Sequence, residues 1–237
     1  MTSFTLKIIA LIAMFCDHFG DAFVGHFSFW NLIGRIAFPI FAFQLSEGFI
    51  HTKNLKRYFM RLFTFAVISQ LPFQLFLQKF LPTSSSSLNI FFTLLLGLFA
   101  MIVYRYFINT QNKELEICLF GVPLKKIMGM FCVLLIAYIA SLLRTDYGFW
   151  GVIVIFAFYL FKENPLAMII SYVCLCTMRY GILILKYGFY IEYIYLAIST
   201  ILPIVLIQLY KGQQGYKIKY LLYLFYPIHL LLLYWFM

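Results

Sequence analysis

Residues 4–24 read FTLKIIALIAMFCDHFGDAFV, an apolar run interrupted near its start by Lys7 and near its end by Asp17-His18 and Asp21. Its length matches the roughly 20 residues a helix needs to cross the hydrocarbon core of a bilayer. A secretory signal would keep its apolar stretch uncharged and end in a small-x-small cleavage pattern. This run does neither, so it is expected to be retained as a first membrane helix.

The same rhythm continues along the chain. Apolar runs parted by short polar breaks predict helices at 4–24, 29–50, 57–77, 89–108, 124–143, 147–162, 164–185, 190–210 and 218–237. The expected fold is all-α: a polytopic bundle of about nine transmembrane helices forming one domain over 1–237. Composition agrees, because 64% hydrophobic and 11% charged residues with a mean hydropathy of +0.94 lie far from water-soluble chains, which carry about 25% charged residues.

The net charge of +10 invites a nucleic-acid reading, but the basic residues sit in short connections between apolar runs and not along one exposed face, so no nucleic acid is expected as a partner. Topology accounts for them. With the N-terminus inside, the cytoplasmic side holds Lys7, Lys53, Lys56, Arg57, Arg61, Arg105, Lys113, Lys125, Lys126, Lys162, Lys211, Lys217 and Lys219. The outer side holds Lys79, Arg144, Arg179 and Lys186, and Arg35 stays within a span. This excess of inner Lys and Arg predicts a cytoplasmic N-terminus and an outer C-terminus. The Ser84–Ser87 run is expected to be a flexible outer connection. The five cysteines lie mostly inside apolar runs, and Cys174-x-Cys176 has no nearby Cys or His, so no metal site is expected.

Ionisable groups inside spans carry the functional signal, since each costs at least about 2.5–3.5 kcal/mol at mid-depth unless it meets partners or water. On the predicted topology Asp17, His18, Asp21, Arg35, Asn89, Thr93, Asp146 and His229 fall in the middle or outer half of the membrane. One shared polar cavity costs less than eight separately buried groups. Lys7 and His18, eleven residues apart, project from nearly the same face with about 16.5 Å between them. Asp21 is the helical neighbour of His18, whereas Asp17 points about 100° away and is better placed to reach another helix. Structural readings stand beside these: Lys7 as an interfacial anchor, Arg35 as counter-ion to Asp17 or Asp146, Glu47 with His51 as a helix-end pair, and His229 as partner of the carbonyl freed by Pro227. A small transporter or flippase is the rival class, because buried charges around a cavity suit it equally.

Several motifs are familiar in order. They are Leu6-Lys7 through Met14, Asp17-His18 and Gly20; Gly34-Arg35-Ile36-Ala37-Phe38-Pro39-Ile40-Phe41-Ala42-Phe43; and Glu47-Gly48-Phe49. Further on come Arg61-Leu62, Ser69-Gln70-Leu71-Pro72-Phe73, Asn89-Ile90-Phe91-Phe92-Thr93-Leu94, Asp146-Tyr147-Gly148 and Tyr226-Pro227-Ile228-His229-Leu230. Together they resemble the TraX family of membrane proteins over essentially the whole chain. The founding member acetylates the N-terminus of a conjugative pilin, so the resemblance implies a multi-pass acyltransferase of the cytoplasmic (inner) membrane that uses acetyl-CoA or another acyl-CoA. The Lys7-x10-His18 spacing is also similar to the basic-x10-His pattern of the membrane acyltransferase-3 group. Carried over, these resemblances imply donor phosphates at Lys7 and at Lys53, Lys56, Arg57 and Arg61, with His18 as base. Asp17, Asp21 or Asp146 would orient the imidazole, and Arg35, Asn89 or His229 would stabilise the oxyanion. Glu47 and Thr93, with Asn89, would meet the acceptor, which is a pilin N-terminus, a cell-envelope glycan or a lipid-linked sugar.

Overall fold

The computed structural model describes residues 1–25, 28–80, 87–111, 117–119, 121–216 and 219–237. Ser84, Ser85 and Ser86 of the serine run, Lys113 and Lys217 lie outside them.

Within the described residues, eleven helical segments make nine passes. α1 (Ser3–Phe23) is the first, and α2 (Phe29–Gly34) with α3 (Ala37–His51) makes the second. α4 (Leu55–Phe80), α5 (Ile90–Asn109), α6 (Leu124–Leu142), α7 (Gly148–Leu160) and α8 (Pro165–Tyr187) follow singly. α9 (Ile191–Ile201) and α10 (Pro203–Gln208) share one pass, and α11 (Lys219–Phe236) closes the chain. Seven of these passes are long and apolar enough to cross a membrane; α7 and α11 are shorter apolar helices. The protein is a multi-pass helical membrane protein, as its composition requires. A two-residue antiparallel hairpin, β1 (Cys118–Leu119) with β2 (Val122–Pro123), is the one addition to the expected all-α plan among the described residues.

Two predicted spans are each broken. The second parts at Arg35-Ile36, between α2 and α3, and the eighth parts at Leu202 before Pro203. Proline explains the latter, because it lacks the N–H that would continue the ladder and its ring crowds the preceding turn. The former break lies three residues before Pro39, and it frees Arg35 to turn toward α1.

Contacts at the bundle ends follow an alternating course. The N-terminal ammonium donates to the Leu209 carbonyl at 2.6 Å, Ser3 N donates to Gln213 O at 2.8 Å, and Lys162 Nζ pairs with Glu47 Oε1 at 3.2 Å. These gather one end. At the other, Lys79 Nζ donates to the Tyr234 carbonyl at 2.9 Å, and Leu88 and Asp146 are joined by a backbone bond of 2.9 Å.

α7 decides where the functional cavity lies. It is apolar all round because it is enclosed: Val152, Val154 and Ile155 are fully buried, and α3, α5, α6 and α8 surround it. Its 13 residues reach about 20 Å, short of a hydrocarbon core of about 30 Å. Its far end is held at the Glu47–Lys162 pair, so its near end and the Leu143–Tyr147 connector sit recessed inside the bundle.

Alternating passes place Lys53 and Lys79 at opposite ends. In a variant with the five native cysteines replaced, single cysteines at these two positions should react with a membrane-impermeant maleimide from opposite faces of oriented vesicles. Labelling of both from one face would contradict the course described.

Candidate functional site

The recessed connector floors a cavity of about 520 Å³ at the end opposite the N-terminus. Asp17, His18 and Asp21 of α1, Arg35 at the α2–α3 break, Phe73, Phe76 and Leu77 of α4, Ser87, the Arg144–Tyr147 connector and Arg179 of α8 line it. It is one shared polar chamber at membrane depth.

Its first wall is an ion pair. Arg35 Nη2 donates to Asp17 Oδ1 at 2.6 Å and to Oδ2 at 2.8 Å, with both side chains largely buried. Asn31, on α2, donates from Nδ2 to Asp17 Oδ1 at 3.1 Å, to the Asp17 carbonyl at 3.2 Å and to Asp21 Oδ1 at 2.8 Å. Its own Oδ1 accepts from Ser28 N and Ser28 Oγ at 3.1 and 2.8 Å. Close approach requires small residues here. A Cβ on Gly34 would lie 2.3–2.4 Å from Asp17 side-chain atoms, and one on Gly20 would lie 2.7 Å from Ser28 Oγ and Trp30 Cβ.

The second feature is a pair of imidazoles. His18 Nδ1 lies 2.8 Å from His229 Nε2, and His229 Nδ1 lies 2.7 Å from the Phe225 carbonyl oxygen. A carbonyl only accepts, so His229 Nδ1 carries a hydrogen. With both rings neutral, His229 Nε2 is then an acceptor and His18 Nδ1 donates to it. The remaining nitrogen of His18, Nε2, therefore bears a lone pair, on a ring that lines the cavity. Phe76 and Tyr226 contact the His18 ring edge-on with centroids at 5.5 and 6.2 Å.

Several expected placements change. The Nδ1 of His18 is held by His229, whereas Asp17 and Asp21 accept from Arg35 and Asn31; the expected carboxylate orienter is replaced by a second imidazole. His229 is 2% exposed, does not line the cavity, and bonds its own helical turn at Phe225 and not the Tyr223 carbonyl that Pro227 would free. Asn89 and Thr93 are fully buried and do not line the cavity. Asn89 caps α5 by accepting from Phe91 N at 3.0 Å and clamps α4 by donating to Ala66 O and Gln70 Oε1, each at 2.8 Å. Thr93 Oγ1 accepts from Tyr147 N at 3.4 Å. Glu47 lies at the opposite end from the cavity, with Lys162 and His51 as partners. The acceptor contacts expected of Glu47, Asn89 and Thr93 thus become structural bonds.

At the N-terminal end, Lys53, Lys56 and Arg57 are exposed around the start of α4. Arg61 lies over the rings of Tyr58 and Tyr223 at 5.1 and 5.3 Å. Lys7 is half-buried on α1, and no hydrogen bond or ion pair holds its ammonium among the described residues.

The structure adds residues that sequence reasoning did not assign to the site: Tyr147, Arg144, Thr145 and Arg179. Tyr147 stacks on Phe38 at 3.8 Å, and the Arg179 guanidinium lies over the Trp150 ring at 4.4 Å. Arg144 adopts φ +51°, unusual for a side-chain-bearing residue, while its carbonyl accepts from Leu88 N at 3.0 Å. Of these, only Arg179 is a cation within a predicted apolar span, 164–185, where a charge is costly.

The family model described as TraX protein matches residues 3–237. A protein of Dichelobacter nodosus described as probable fimbrial assembly protein FimC, serogroup H1, is 30% identical over 252 residues, covering 98% of this chain and 94% of that one. No solved structure matches.

Removing one member of the Asp17–Arg35 pair strands a charge. Arg35→Gln should lower stability in detergent by about 2–3 kcal/mol, somewhat under the cost for a fully buried pair because both side chains keep some exposure. Asp17→Asn added to Arg35→Gln should recover most of that loss in thermal unfolding; a double variant no more stable than Arg35→Gln would contradict the pairing. Gly34→Ala should cost about 1–3 kcal/mol through overpacking against Asp17.

Proposed function

The chain belongs to the TraX family, and from that membership we propose that it is a membrane acyltransferase moving an acetyl or other acyl group from acyl-CoA to an amine or hydroxyl acceptor. The observation that carries the reading is the lone pair left on His18 Nε2, on a ring that lines the polar cavity.

In the proposed reaction the acceptor's N–H or O–H meets His18 Nε2, which takes the proton as the nucleophile attacks the thioester carbonyl. The tetrahedral oxyanion collapses with loss of the CoA thiolate, and the proton held by His18 leaves with the products. His229 is a positioning residue: its bond to Phe225 fixes its own tautomer, and that tautomer fixes the tautomer of His18. The Arg35 guanidinium, whose Nη2 is taken by Asp17, borders the same space and in this scheme faces the developing negative charge with its remaining N–H groups.

The donor is proposed to approach from the N-terminal end, taken as cytoplasmic from the charge bias. Lys7 suits a phosphate contact because its ammonium has no other partner among the described residues, with Lys53, Lys56 and Arg57 exposed at the same end of the bundle. The rise from Lys7 to His18 is about 16.5 Å, comparable to a pantetheine arm. The name of the FimC relative and the activity of the family's founding member favour a pilin N-terminus as acceptor over an envelope glycan or lipid-linked sugar. An inner-membrane location goes with this reading.

Protein purified into nanodiscs and supplied with labelled acetyl-CoA and a peptide bearing a free N-terminus should transfer label. His18→Gln should reduce transfer about 10²–10⁴-fold while the protein stays folded. His229→Leu should fall by at least about tenfold, and His229→Gln, whose amide oxygen can accept from His18, should retain more. Full transfer by His18→Gln would overturn the assignment, and solute movement without acyl-CoA turnover would favour the transporter class.

A further inference from the structure

Resting on the acyltransferase reading, we propose that the cavity contains an oxyanion subsite, built on Arg179 and Thr145, that holds an anionic group carried by the acyl acceptor.

Arg179 lies on α8, a helix expected to be in lipid contact along much of its length, and it lines the same cavity as His18. Its guanidinium lies over the ring of Trp150 at 4.4 Å and that of Tyr147 at 5.6 Å. Stacking on an indole offsets part of the cost of a cation at this depth but leaves its N–H donors to be satisfied. No carboxylate lies within 4.0 Å of it among the described residues, although Asp146 borders the same space. Arg35, by contrast, is committed to Asp17.

Thr145 supplies the second, independent observation. It is 5% exposed and lines the cavity, and its Oγ1 is buried with no hydrogen-bond partner. Buried hydroxyls rarely go unbonded, because the lost hydration is not returned. A rigid guanidinium fork with a hydroxyl beside the same chamber is the donor set that binds carboxylate or phosphate oxygens. The acceptor's nucleophile would meet His18 while its anion rests on Arg179.

Inorganic phosphate is the probe. Binding of ³³P-phosphate to purified protein in phospholipid-free maltoside micelles, measured by scintillation proximity, should be saturable. Arg179→Gln should weaken it at least about tenfold, as loss of charge-assisted hydrogen bonds predicts, and Arg179→Lys, which keeps charge but not the fork, should fall between. Thr145→Val should weaken it about threefold or more with no loss of thermal stability, since it removes a hydroxyl that has no partner. Absence of saturable binding, or wild-type binding by Arg179→Gln and Thr145→Val, would overturn the subsite. Weaker phosphate binding in phosphatidylglycerol nanodiscs than in phosphatidylcholine nanodiscs would assign the site to a lipid headgroup and overturn the acceptor's claim to it; equal binding supports the acceptor. The assay needs no acyl donor. Acyl transfer without phosphate binding would therefore reject the subsite and leave the acyltransferase reading standing.

Discussion

A carboxylate placed inside a membrane helix must be answered by a cation or a donor, and the arrangement of this protein's end opposite the N-terminus follows from how Asp17 is answered. Arg35 reaches it only because the second pass breaks at Arg35-Ile36, and α2 lies close enough only because Gly34 and Gly20 carry no side chain at the contact. Asn31 then ties Asp17 and Asp21 together from the same short helix. With the two carboxylates engaged, His18 is left to a different partner on α11.

That partner matters chemically. A carboxylate orienting an imidazole also raises its basicity, whereas His229 fixes the tautomer without adding a charge to a low-dielectric region. The direction of the hydrogen-bond chain is dictated by its end point, a backbone carbonyl that cannot donate. The short central helix α7 does the rest, because its recessed end leaves the chamber that the His18 ring lines.

Apolar run length made the passes legible, since the hydrocarbon thickness sets it, and charge bias made their alternation legible. The break at Arg35-Ile36 is not, because the run stays apolar through it and periodicity alone does not mark it, whereas Pro203 is a sequence signal for the one at Leu202. In the site, Asp17 facing another helix could be read from a 100° rotation per residue. The pairing of His18 with His229 could not, because 211 positions separate them and no helical spacing links α1 to α11. Asn89 and Thr93 were read as site groups because depth placed them at the right level; rotation about the helix axis, which depth does not give, turned them into the packing. Thr145 escaped notice for the opposite reason, being an ordinary residue whose interest arises only from its unbonded hydroxyl.

Proton abstraction by His18 requires an unprotonated Nε2 on that ring. ¹⁵N NMR of protein labelled at histidine, with the two rings assigned by their loss in single variants, reads this directly. The account predicts that both His18 and His229 carry hydrogen on Nδ1 and none on Nε2 at neutral pH. A hydrogen on the Nε2 of His18, or a doubly protonated His18 ring, would contradict it.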